Sequence, residues 1–128
     1  MITKRVLAAL AVLTGTAVPA MAAQTSVSIT LGNEGGDLER RVTVYDCEVG
    51  DPISVQYINA APNFLAILPV PDQTEPLVFA AVLSASGVRY AAGQFIWSTK
   101  GVDATLIDIT EGEDADPINT CSEVNNTP

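Results

Sequence analysis

Short runs that alternate apolar and polar residues recur along this chain, each cut by Gly, Pro, Asn or Asp, and no stretch keeps a helical period for ten residues. In a strand, successive side chains leave on opposite faces, so such runs mark strands with one covered face. Thr25 to Leu31 alternates cleanly, with Val27, Ile29 and Leu31 on one side and Ser26, Ser28 and Thr30 on the other. After the break at Gly32 to Gly36 come Arg41 to Cys47, Ile53 to Ile58, Phe64 to Val70, Leu77 to Leu83, Val88 to Ala92, Gln94 to Ser98 and Asp103 to Ile109. These runs predict an all-β fold, an antiparallel barrel or sandwich. The barrel is preferred, because closure removes edge strands that a chain with so few Lys cannot guard with charge. Glu111 to Pro117 is too acidic to be core and reads as a loop, and Ser122 to Pro128 reads as a frayed tail. Neither an internal repeat nor a second domain is visible.

The first two dozen residues stand apart from this pattern. Lys4 and Arg5 precede an apolar run from Val6 to Val18, followed by Pro19 and the small-residue pattern Ala20-Met21-Ala22. This is the form of an export signal cleaved after Ala22, with Ala23 the close alternative. The apolar run is shorter than the roughly 20 residues a membrane-spanning helix needs. Residues 1–22 are therefore expected to be removed, leaving 23–128 as a single domain. The two cysteines of an exported chain, Cys47 and Cys121, are expected to form a disulfide. The acidic loop returns Cys121 to Cys47. With no His and two distant Cys, no metal site is expected. No cofactor motif is present.

Loss of Lys4 and Arg5 leaves four basic residues against 15 acidic ones, a net charge of −11. A surface so acidic repels nucleic acid and anionic lipid and draws cationic partners. Solubility alone is the ordinary explanation of such a balance.

Two turns then stand out, Ser84-Ala85-Ser86-Gly87 and Ser98-Thr99-Lys100-Gly101. One strand out and one strand back separate them, so in a meander both lie at the same end of the sheet. Two strand spacings, roughly 10 Å, would divide them laterally. Ser86 and Lys100 could then project from one rim, and Gly87 and Gly101 allow positive φ and close approach. Ordinary hairpin punctuation is the plain alternative. A hydrolase with Ser86 as nucleophile and Lys100 as base is disfavoured, since a rim Lys among carboxylates stays charged and makes a poor base. Phe95 and Trp97 share a strand face and read as core.

The same stretch resembles a known family. S-A-S-G-V-R-Y, an aromatic strand ending in Trp97, and T-K-G-V-D-A-T-L are similar to the signature of bacterial inhibitors of C-type lysozyme. Upstream, Y-D-C-E-V-G, V-Q-Y-I-N and F-L-A-I-L resemble that family's opening. The likeness runs from Tyr45 to Leu106, with Cys121 as the second Cys. It implies an eight-stranded antiparallel β-barrel with one disulfide, no catalysis, and C-type lysozyme as the partner. By motif position Ser86 and Lys100 would meet the enzyme's two catalytic carboxylates, with Gly87, Arg89, Tyr90, Thr99 and Gly101 carried over more weakly. No Cys follows the leader's apolar run to accept a lipid, which points to the soluble periplasmic type of the family. The competing expectation is a small periplasmic barrel with an apolar ligand in a hollow core, without lysozyme inhibition.

Overall fold

The computed structural model describes residues 11–16, 38–112 and 114–124. Eight strands follow one another: β1 (Glu39–Cys47), β2 (Ile53–Ala60), β3 (Asn63–Leu68), β4 (Leu77–Val82), β5 (Val88–Ala92), β6 (Phe95–Lys100), β7 (Asp103–Asp108) and β8 (Asn119–Glu123). Each pairs antiparallel with the next, and β8 returns to β1, closing an eight-stranded up-and-down barrel. Seven of the eight correspond to alternating runs in the sequence. The eighth does not: Asn119–Glu123 is a strand, so Ser122 and Glu123 are paired rather than frayed. The run Thr25 to Leu31, the leader's cleavage site and most of the proposed signal lie outside the described residues. Among those described, no helix is long and apolar enough to cross a membrane.

Register explains how the seam holds. β8 meets β1 through Tyr45 opposite Glu123, Asp46 opposite Ser122 and Cys47 opposite Cys121. The Cys47–Cys121 disulfide therefore joins the first strand to the last across the closure, bridging a sequence separation of 74. The acidic segment does serve as the return loop, running through a 3-10 turn at Ile109–Glu111. The Asp108 carboxylate accepts from the Thr110 amide and hydroxyl and starts that turn. These bonds, with a third from Gln94, hold its carboxyl below the usual carboxylate range.

Inward positions fill the barrel. Trp97, Phe79, Leu68 and Val55 are the largest fully buried side chains, and Tyr45, Tyr57, Tyr90 and Leu106 complete the cluster. The middle of the barrel is thus filled by side chains, whereas the competing expectation required a hollow core. Phe95 packs against the core and Trp97 lies wholly within it. The Trp97 indole N–H donates to the Tyr57 hydroxyl at 2.9 Å, and that hydroxyl pairs with Tyr45 Oη at 2.8 Å. Three polar tips are thus buried without losing hydrogen bonds, which limits the desolvation cost. Burial raises the pKa of Tyr45, Tyr57 and Tyr90 above the ordinary phenol value.

In a meander the connections alternate between ends. Those of β1–β2, β3–β4, β5–β6 and β7–β8 lie at what we term the upper end, and those of β2–β3, β4–β5 and β6–β7 at the lower end. The upper connections carry eight acidic residues and no basic one, whereas the lower connections carry no acidic residue.

Candidate functional site

The β4–β5 and β6–β7 connections, holding Ser86 and following Lys100 respectively, share the lower end. β5 and β6 are adjacent, and Val88 sits opposite Thr99, so the near limbs of the two turns are one strand spacing of about 4.8 Å apart, while their centres keep the two spacings expected of a meander. Lys100 is the last residue of β6, so the sheet holds its backbone, and Gly101-Val102 forms the turn itself.

Gly87 locks the two turns together. Its φ is +67°, a region that favours glycine, and a Cβ there would collide with the Thr99 carbonyl oxygen and come within 3.2 Å of the Thr99 carbonyl carbon and 3.3 Å of Lys100 Cβ. The Ser-Gly turn thus packs backbone to backbone on the strand end that carries Lys100. The Ser84 hydroxyl donates to the Ser86 carbonyl at 2.8 Å and shapes the turn from within. Ser86, Gly87, Lys100 and Gly101 are exposed. No hydrogen bond or ion pair to the Ser86 hydroxyl or the Lys100 ammonium occurs among the described residues. The Ser86 hydroxyl and the Lys100 side chain therefore both have donors to offer, on adjoining chain segments.

The flanking residues divide. Thr99 is half-buried and contributes its backbone to the contact with Gly87. Tyr90 is 6% exposed and belongs to the core, with its ring 5.7 Å from that of Tyr57. Arg89 faces the outer wall, lining a hollow with Val82, Ile96, Ile109 and Asp114. Its Nε is buried without a partner. Sequence reasoning passed over a further cation at this end. Arg41 lies on the inward face of β1, opposite Tyr57, with its guanidinium carbon 5.3 Å from that ring's centroid. The signal was there in the alternation, which sets Arg41 on the same side as Thr43 and Tyr45.

All four cations of residues 23–128, Arg40, Arg41, Arg89 and Lys100, sit in strand segments next to the lower end. The strand ends there also carry Glu39, Asp103 and Glu123, with Asp103 opposite Lys100 in the β6–β7 register, so the cations outnumber the acids at this end by one. The arrangement suits the recognition of carboxylates by charge-assisted hydrogen bonds.

A family profile described as membrane-bound lysozyme-inhibitor of c-type lysozyme matches residues 45–114. The chain belongs to this family. A membrane-bound lysozyme inhibitor of C-type lysozyme from Pseudomonas aeruginosa is 49% identical over 87 residues, which cover 67% of this chain and 67% of that protein. One of the same description from Cupriavidus necator is 38% identical over 77 residues, 60% of each chain. The barrel is also similar to that of Pseudomonas aeruginosa MliC in its crystal structure in complex with hen egg white lysozyme. There the TM-score is 0.63 at 40% identity, covering 80% of this chain and all of the other. The profile begins at Tyr45, where the sequence resemblance also begins. Relatives described as membrane-bound lysozyme inhibitors make this an exported family of binding proteins.

Proposed function

We propose that this protein is an inhibitor of C-type lysozyme that presents its lower rim to the enzyme's substrate cleft. The observation that carries the reading is the pair of interlocked turns bearing Ser86 and Lys100, at the end whose connections hold no acid, in a family with a member crystallised on lysozyme. A retaining glycosidase keeps its two catalytic carboxyl groups about 5 Å apart, close to one strand spacing. The Ser-Gly turn packs through Gly87 on the strand end that carries Lys100, and donors on adjoining strands suit that separation. The hydroxyl donates to one carboxyl and the ammonium to the other. Both catalytic groups are thereby occupied, and the cleft is closed to substrate. Gly87 and Gly101 keep the turns slim enough to enter, and Thr99 braces them. Arg41 adds positive potential behind the contact.

The role is binding rather than catalysis. Lys100 acts as a permanent donor, and the acceptor it lacks within its own chain is supplied by the partner. The charge of −11 speeds encounter with a basic enzyme, while the cationic rim sets which end docks. We assign the protein to the periplasm as a soluble form released from its leader, on the absence of a Cys after the leader's apolar run.

The test is a lytic assay with C-type lysozyme and the exported protein. Stoichiometric loss of lysis is expected. An unchanged lytic rate at excess inhibitor would overturn the function while leaving the fold untouched.

A further inference from the structure

The upper end, opposite the Ser86 and Lys100 rim, is hollow at its mouth although the lumen beneath is packed. A cavity of about 390 Å³ opens there, within the range of about 300 to 1,000 Å³ typical of small-ligand sites. Val49, Ile53, Val70, Pro71 and Leu106 line it, and fully buried Trp97 is part of its wall. A second hollow of about 370 Å³ shares Val49 and Pro71 with the first and continues toward Phe95 and Ile118. The polar group nearest the apolar lining is already satisfied: the Asn119 amide exchanges hydrogen bonds with the Val49 backbone at 3.2 and 3.0 Å. What remains is apolar wall edged by acid. Asp51 lines the first hollow, and Asp72 and Asp108 line the second. Asp108 is engaged with Thr110 and Gln94, which leaves Asp51 and Asp72 to face a ligand.

We propose that this mouth binds small amphiphilic cations, with an aliphatic or aromatic group in the hollow and an ammonium against Asp51 and Asp72. The apolar lining supplies affinity without selectivity. Charge supplies the selection, since none of the upper connections holds a Lys or Arg and an anionic headgroup would meet only repulsion. The site lies a strand's length from the inhibitory rim, so the two are occupied independently.

Trp97 is the chain's single Trp, which makes its emission a direct report of the cavity. The exported protein is titrated with decyltrimethylammonium below its micelle concentration, and in parallel with decanesulfonate of the same chain length. The cation is expected to shift Trp97 emission saturably and raise the Tm, since a ligand of the native state stabilises it. The anion is expected to bind at least tenfold more weakly. Each methylene removed from the cation should weaken binding roughly fourfold. The double variant Asp51→Asn, Asp72→Asn should erase the difference between the headgroups while lysozyme inhibition is unchanged. Equal affinity for both headgroups in the parent protein would overturn the proposal, as would a falling Tm. So would the absence of any Trp97 response, the result expected if another part of the chain or a second copy covers the mouth. The lytic assay decides the inhibitor reading separately, so the two fail by different measurements.

Discussion

At the scale of single residues, Lys100 and Gly87 carry most of what the lower rim can do. Lys100 gains its value from what surrounds it: an ammonium on a strand end, with no acid in the neighbouring turns. Lys100→Ala is expected to weaken lysozyme binding by about 2 to 5 kcal/mol, mainly through a faster off-rate, because it leaves a buried carboxylate of the partner unpaired. Surface plasmon resonance checks this, and a loss below about 0.5 kcal/mol would place Lys100 outside the contact. Gly87 acts on geometry. Gly87→Ala forces a side chain into left-handed backbone and against the Thr99 carbonyl, obstacles that cannot rotate away. A loss of more than about 1 kcal/mol in denaturant unfolding is expected, together with weaker inhibition as the Ser86 turn moves off β6. Gly93→Ala is the contrast, since its φ is also positive but nothing lies within 4 Å of the added carbon.

Among the strands, alternation located seven of the eight but did not say which side faces in. On β1 the branched aliphatic residues Val42 and Val44 are 58% and 42% exposed, while Thr43 and Tyr45 point into the barrel. Hydrophobicity alone would have chosen the valines. The aromatic layer decides otherwise, because Tyr45 stacks edge-on with Trp97 at 5.2 Å and bonds the Tyr57 hydroxyl, which no valine could do. Tyr57→Phe removes the acceptor of the buried Trp97 N–H, and a cost of about 1 to 3 kcal/mol is expected in chemical denaturation. β8 was missed for another reason. Asn119 to Glu123 is polar and follows an acidic loop, and only its pairing with both β7 and β1 makes it a strand. The Cys47 to Cys121 bridge staples that closure. Replacing both with Ala is expected to cost about 2 to 4 kcal/mol, near what closing so long a loop removes from the unfolded chain's entropy, and to lower the calorimetric Tm.

Over the whole molecule, charge and ionisation follow the barrel's two ends and its core. Cations gather at the lower end beside three strand-end acids, Glu39, Asp103 and Glu123, while the upper connections hold eight acids and no cation, so the protein is polar along its axis as well as acidic overall. The buried phenols Tyr45, Tyr57 and Tyr90 give the fold an alkaline limit. Their pKa is raised in the folded state by burial, so the stability they carry is full below the unfolded phenol value of about 10. It is lost as pH rises above that value, because the unfolded chain then releases protons that the fold retains. Thermal unfolding between pH 8 and 12 should show a plateau followed by a steep fall beyond about pH 10. A flat profile to pH 12 would show that these phenols ionise without opening the core.

The amino-acid order by itself determined that the chain is β throughout, where most turns fall, and that Ser86 and Lys100 share one end, since strand periodicity and turn chemistry are local properties. It also carried the family motif and the pairing of two cysteines. Tertiary structure alone decided two things. Aromatic contact chose the inward face of β1, and closure recruited a polar segment as the eighth strand. Both depend on partners far apart in the chain, and no local pattern records which strand a segment will meet.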